Sequence, residues 1–245
     1  MPITWYETID STNSEARRHL GCGDKLSVFA AKYQTAGRGQ RGNKWNSTRG
    51  QNLTFSILAD FYAENMPKVN AREQFALSIV AALSVSDLLE GYGISNTIKW
   101  PNDIYIRDRK ICGMLLENSL SGTTVSSSII GIGLNVNQTE FPPELINPTS
   151  IAAASGKRLD ITDVLDDFLI CFQRRFDSLS ERDDLKKEYV SRLYRLDNVR
   201  RYHDCLTDTD FDGKIKGISD EGLLLVEMPD SSVRKYAFKE ISYII

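Results

Sequence analysis

Three cations, three glycines and one indole fall together in Gly37-Arg38-Gly39-Gln40-Arg41-Gly42-Asn43-Lys44-Trp45. With Gln34-Thr35-Ala36 ahead of it, the stretch contains a single aliphatic residue, so it has nothing to bury. Its glycines leave the backbone free to bend and to approach a ligand closely. Arg38, Arg41 and Lys44 offer charge to a phosphate or carboxylate, and Trp45 offers a flat face to a base. The chemistry this suggests is capture of an anionic, partly aromatic ligand beneath a loop. A solvated basic loop is the plainer alternative. A third reading, a dinucleotide fingerprint, matches Gly37-x-Gly39-x-x-Gly42 letter for letter, with Asp60 near the expected spacing of about 20 residues. That motif must open a helix, and Asn43, Asn46, Ser47, Thr48, Arg49 and Gly50 do not make one.

Other stretches carry chemistry more quietly. Ser11-Thr12-Asn13 offers hydroxyls and an amide at a helix start, where the residues serve either as caps or as ligand contacts. Thr12-x-x-Glu15 reads as a capping box. Lys110 opens a strand of buried character, no partner for its charge is visible in the sequence, and Gly113 leaves room for a ligand or a crossing backbone. In Ile130-Gly131-Ile132-Gly133-Leu134-Asn135 two glycines alternate with large aliphatics. One strand face is therefore nearly bare, and either a ligand or a closely packed helix lies against it.

The elements that must position these residues follow from periodicity. Strands are predicted over Thr4–Ile9, over Leu26–Tyr33, which delivers the chain into the loop, and over Asn52–Leu58, which alternates cleanly and leaves it, so that the loop lies between two central strands. Asn70-x-x-Glu73 starts a helix that runs to Leu89, apolar nearly all round and closed by Gly91 and Gly93. A hairpin follows, with Ile104-Tyr105-Ile106 turning at Asp108-Arg109 into Lys110–Glu117, and then a strand from Ser126 to Val136. The segment from Phe141 to about Gly156 reads as irregular. Thr162 is taken as the cap of a helix striped by Val164, Leu165, Phe168, Phe172, Phe176 and Leu179, and Ser180–Leu193 as a more polar helix. Beyond Leu196 turn signals at Asp212-Gly213, Asp220-Glu221-Gly222 and Pro229-Asp230-Ser231 separate short strands, the pattern of a small all-β module. The division expected is residues 1–192 and 193–245.

Composition narrows the function classes. Over 245 residues the apolar share is 41% and the charged share 26%, an ordinary globular balance. A formal net charge of −3 argues against a general nucleic-acid binder. Cys22, Cys112, Cys171 and Cys205 form no C-x-x-C pair, and the amino terminus shows no secretory pattern, so reduced thiols and a cytoplasmic location are expected. No uninterrupted 18-residue apolar run is present, so no membrane span is expected. His19 and His203 alone do not supply a histidine metal site or a Ser-His-Asp triad.

Taken together, Ser11-Thr12-Asn13, the Gly37–Trp45 loop, Lys99-Trp100-Pro101-Asn102-Asp103, Lys110-Ile111-Cys112-Gly113-Met114-Leu115 and Gly131-Ile132-Gly133-Leu134-Asn135-Val136 resemble the biotin protein ligases in order and spacing. The resemblance covers residues 1 to about 190, and the terminal β module is similar to the family's SH3-like barrel. It implies an α+β fold: a mixed central β-sheet flanked by helices, as in class II synthetases, followed by that barrel. It implies ATP-dependent formation of biotinyl-5′-adenylate and transfer of biotin to a lysine of a biotin carboxyl carrier protein. ATP, Mg²⁺ and biotin are then the small molecules, with no tightly bound prosthetic group. A homodimer is a permitted assembly, and neither DNA nor membrane is expected as a partner. Regulatory relatives begin with a DNA-binding domain; here the matching region starts at Met1, so repressor activity is expected to be absent.

The resemblance also assigns residues. Lys110 and Arg38 are implied at the reacting centre. Ser11, Thr12, Asn13, Gln34, Arg38, Gly39, Gln40, Lys110, Gly113 and Leu115 are implied around biotin. Arg38, Arg41, Trp45, Asn102, Asp103, Gly133 and Asn135 are implied around the adenylate, with Asp103 the metal candidate. Where many relatives carry Gly-Arg-Gly-Arg, this chain has Gln40, so retention of the adenylate is expected to lean more on Arg38 and Arg41. Two alternatives remain: a lipoate or octanoyl ligase or transferase of the same fold, and a non-catalytic module that stacks Trp45 on bases.

Overall fold

The computed structural model describes residues 1–22, 24–39, 42 and 44–244. Gln40 and Arg41, both expected in the site, lie outside the described residues. A seven-stranded sheet forms the centre, in the order β1 (Ile3–Tyr6), β2 (Leu26–Ala31), β3 (Leu53–Asp60), β7 (Thr124–Leu134), β6 (Arg109–Ser121), β5 (Asp103–Ile106), β4 (Thr97–Lys99). Only β1 and β2 run parallel, so the sheet is mixed as expected.

Helix α2 (Phe75–Gly91) has no internal glycine or proline and buries its alanines, leucines and valines on nearly every side, which only a central position allows. The segment Ala71–Gly91 is also long and apolar enough to cross a membrane, with a mean hydropathy of 1.3. It is, however, packed in the core beside α4 (Ile161–Asp177), whose Phe168 and Phe172 are fully buried. Phe55 of β3 meets Phe168 edge to face at 5.0 Å, an aromatic pair that adds about 1 kcal/mol to the burial itself.

On the opposite face of the sheet lies α1 (Thr12–Arg18), where Ala16 joins Phe29, Leu58 and Ile129 in a small second core. Strand β3 is therefore covered on both faces. Its central place is the one expected for the strand that leaves the loop, and its alternating polar residues Thr54 and Ser56 are buried too.

Several local expectations also change. Asn70 caps a single 3-10 turn, Ala71–Glu73, and the α-helix starts only at Phe75. The segment expected to be irregular contains α3 (Ile151–Ser155), capped by Ser150, whose side chain accepts from the Ala153 amide. The cap of α4 is Asp160, not Thr162; the Asp160 carboxylate accepts from both the Thr162 amide and its hydroxyl. Helix α5 spans Arg182–Ser191, within the range expected.

A five-stranded antiparallel sheet ends the chain, in the order β11 (Val233–Tyr236), β10 (Leu224–Glu227), β9 (Thr209–Ile218), β8 (Val199–Asp204), β12 (Ile241–Tyr243). Strands β8 and β12 carry mixed polar residues and were not expected from the pattern. The chain reaches this sheet by passing Leu193 along β4, where the Ile98 amide donates to Arg192 O and the Tyr194 amide to Ile98 O. Trp100 then fastens the two sheets: its buried Nε1 donates to Gly222 O at 2.9 Å, and its ring faces Phe238.

Candidate active site

Between the α1 side of the central sheet and the C-terminal sheet lies a cleft of about 530 Å³. Every described residue expected at the site opens onto it: Ser11, Thr12, Asn13, Gln34, Arg38, Gly39, Trp45, Asn102, Asp103, Lys110, Gly113, Leu115, Gly133 and Asn135. They come from five separated segments that the β2–β3–β7–β6–β5 pairing brings side by side.

At one end, the start of α1 is turned to a purpose other than capping. Ser11 is the N-cap residue, but its side chain makes no cap bond, and it is 3% exposed. Glu15 bonds Tyr6 and Arg18 instead of closing a capping box, so that expectation is corrected. Thr12 donates its amide to Gln34 Oε1 at 2.7 Å. Ser56 Oγ donates to Asn13 Oδ1 at 2.6 Å and lies 2.8 Å from Thr12 Oγ1. Asn13 Nδ2 donates to Leu115 O and to Glu117 Oε2. Asn13 is thus held from both ends while buried, a cluster of donors and acceptors fixed before any ligand arrives.

The bare glycine face is filled by side chains of this chain. A Cβ on Gly131 would stand 2.0 Å from Asn13 Oδ1, and one on Gly133 would stand 2.3 Å from the Trp45 ring. Gly113 is paired with Gly133 across β6 and β7, so the indole rests on two adjacent strands without side chains. Its Nε1 is buried and meets no acceptor among the described residues. The loop that delivers it is closed at its base, where the Trp45 amide donates to Gly37 O and the backbones of Arg38 and Lys44 form an antiparallel bridge.

At the other end stand Lys110 and Asp103. Lys110 Nζ is 2.8 Å from Asp103 Oδ2, so the cation does have a partner, placed there by the β5–β6 hairpin across a bulge. Asn102 and Asn135 donate their side-chain amides to Met114 O and Thr149 O respectively, and so brace the cleft wall. No cluster of three or more metal-ligating side chains occurs among the described residues.

Three residues were missed. Ser56 is the hydroxyl linking Thr12 and Asn13, and its polarity inside an apolar strand was the available signal. Glu117 ends the apolar run Ile111–Leu116 and meets Asn13, Arg17 and Arg38. Lys99 lines the cleft with its ammonium 4.8 Å from the ring centres of both Tyr105 and Tyr243, donating to the Tyr105 hydroxyl. Burial brings its pKa down to about 8, against the opposing pull of Asp103.

The family model for the biotin/lipoate A/B protein ligases matches residues 5–135. The bifunctional ligase/repressor BirA of Bacillus spizizenii is 33% identical over 215 residues, which cover 86% of this chain and 64% of that protein. The chain therefore spans about two thirds of that relative's length. A biotin–[acetyl-CoA-carboxylase] ligase of Paracoccus denitrificans is 30% identical over 90% of this chain and 92% of its own. Among solved structures, a biotin protein ligase from Aquifex aeolicus in complex with biotin and ATP superposes with a TM-score of 0.78 at 29% identity, covering 98% of this chain and 97% of that one. By the matched region, the cleft it builds and these relatives, the chain belongs to the biotin/lipoate A/B protein ligase family.

Proposed function

We propose that the chain is an ATP-dependent biotin protein ligase. In the first step a biotin carboxylate oxygen bonds to the α-phosphorus of ATP, the bond to the bridging oxygen breaks, and pyrophosphate leaves. In the second, a lysine ε-amine of a biotin carboxyl carrier protein attacks the acyl carbon, the amide forms, AMP leaves and the amine's proton is released. The observation that carries this reading is the convergence of five separated polar segments on one cleft, with Lys110 beside Asp103 at one end, the amide–hydroxyl cluster of Thr12, Asn13 and Ser56 at the other, and Arg38 reaching in beside Asn13 through Glu117.

Each end suits one part of the reaction. The Ser11, Thr12, Asn13 and Gln34 cluster can hold a neutral, hydrogen-bonding head group without desolvating a charge. Lys110 and Arg38 offset the negative charge that gathers when a carboxylate meets a phosphate. Trp45 presents its indole to the adenine side. Asp103 supplies one carboxylate, which with phosphate oxygens fits the way Mg²⁺ is commonly held beside nucleotides; the ion would screen phosphate charge. We place the catalytic unit at residues 1–192 and the β module at 193–245, with Trp100 joining them.

The test is to incubate the purified chain with ATP and biotin, or with lipoate or octanoate in its place, and identify the adenylate by mass spectrometry. Biotinyl-adenylate alone is expected. Adenylate formed only from lipoate or octanoate would transfer the assignment to the other activity of the family, and no adenylate from any acid would overturn it.

A further inference from the structure

Strand alternation puts Gly113, Leu115 and Glu117 on one face of β6, so Glu117 stands on the cleft side, two residues beyond the Leu115 carbonyl that Asn13 bonds. Its carboxylate holds the Arg38 guanidinium by both terminal nitrogens, NH2 to Oε2 at 2.9 Å and NH1 to Oε1 at 3.4 Å. The same carboxylate accepts from Asn13 Nδ2 at 2.8 Å and from Arg17 NH2 at 2.9 Å. The two terminal nitrogens of Arg38 are thus engaged by a group of the protein's own, and they form the fork that would grip a ligand's phosphate or carboxylate.

We infer that Glu117 is a positioning residue, holding Arg38 at the rim of the cleft and releasing it to the ligand's anion as the site fills. The inference rests on the reading that an anionic group comes to lie beside Arg38. The exchange is inexpensive for two reasons. Arg38 and Glu117 have side chains 42% and 22% exposed, so their pair is a weak one that a second anion can outcompete. Arg17 and Asn13 remain on Glu117 after Arg38 leaves, so its carboxylate is not stranded. Because Asn13 is tied to the same carboxylate, Glu117 also links the head-group end of the cleft to its anion end.

A double-mutant cycle on binding tests this without requiring turnover. The probe is biotinol-5′-AMP, a non-hydrolysable biotinyl-adenylate analogue, titrated calorimetrically into the wild type, Glu117→Gln, Arg38→Ala and the double variant. Glutamine keeps an oxygen for Asn13 and removes the charge that competes for Arg38. Glu117→Gln is expected to bind the analogue about three- to fivefold more tightly when Arg38 is present, the range of one exposed ion pair. With Arg38→Ala in the background the effect is expected to fall below about 1.5-fold. The same fold-change in both backgrounds, no change, or weaker binding with Arg38 present would overturn the inference, since a purely structural Glu117 acts independently of Arg38. Absence of binding by the wild type would overturn the functional reading, and this inference with it.

Discussion

Gly131→Ala is the sharpest probe of how the cleft is built. The new methyl would stand 2.0 Å from Asn13 Oδ1, 2.8 Å from its Cγ and 3.0 Å from its Nδ2. Neither side can yield easily. Gly131 is in the interior of β7, paired with Ser56 on one side and Leu115 on the other. Asn13 is 4% exposed and fixed by Ser56 at 2.6 Å and Glu117 at 2.8 Å. To reach ordinary contact distance Asn13 must move by more than about 1 Å, which breaks both bonds. Two lost hydrogen bonds at about 1 kcal/mol each, with about 1–3 kcal/mol for overpacking, give a destabilisation of about 3–5 kcal/mol. For a chain of this size that lowers Tm by about 6–20 °C. Biotin binding, measured calorimetrically, is expected to weaken at least tenfold, about 1.4 kcal/mol. Gly91→Ala serves as the control, because a methyl there meets nothing within 4 Å, and it should stay within about 1 kcal/mol of wild type. A Gly131→Ala protein with unchanged Tm and unchanged biotin affinity would refute the reasoning.

Other perturbations follow from the same geometry. Lys110→Ala is expected to cut biotin-dependent pyrophosphate exchange by about 10²- to 10³-fold while leaving thermal stability within about 1 kcal/mol, since its pair with Asp103 is partly solvated; exchange within threefold of wild type would exclude Lys110 from the reacting centre. Lys99 loses its proton near pH 8 in the folded chain, below the ordinary 10.5. The unfolded chain therefore binds more protons between those values, and this group's contribution to stability rises with pH from about 8 to 10.5. Urea unfolding should show that slope in the wild type and a flatter one in Lys99→Met, and parallel curves would contradict it. Burial pushes the Asp87 carboxyl up, but Arg175, Arg174 and Arg192 outweigh it and hold it below the usual range. Asp87→Ala, which leaves Arg175 facing Glu188, leaves Arg192 facing Glu188 and Glu90, and takes away the carboxylate that Arg174 pairs with, should cost about 3 kcal/mol in chemical denaturation, and a loss under 0.5 kcal/mol would contradict that network.

Much of this arrangement was legible in the residues because glycines and charges are costly where they are not used. The cationic loop, the alternating glycines of β7 and the Lys110 strand each declare a constraint locally, and pairing of strands then brings them together. What lay against the bare glycine face was not legible, since the contacts of Gly131 with Asn13 and Gly133 with Trp45 span more than 80 residues. The role of Ser11-Thr12-Asn13 was obscured for a different reason. Hydroxyls and amides at a helix start look the same whether they cap or not, and only the Gln34 and Ser56 partners show that Thr12 and Asn13 are engaged across the cleft. Lys99, named only as part of its motif, was given no role because its tyrosine surround is assembled from β5 and β12, more than 130 residues apart in the chain. Asp160 was passed over as a cap because Thr162 fits the same signal two residues later.

The central claim is that this cleft joins a biotin carboxylate to the α-phosphate of ATP. Exchange of labelled pyrophosphate into ATP tests it most directly, because the exchange requires the first step to run in both directions on the protein. The account predicts exchange that depends on biotin, is absent with lipoate or octanoate, and collapses in Lys110→Ala. Exchange that proceeds equally without biotin, or that another acid supports as well, would contradict it.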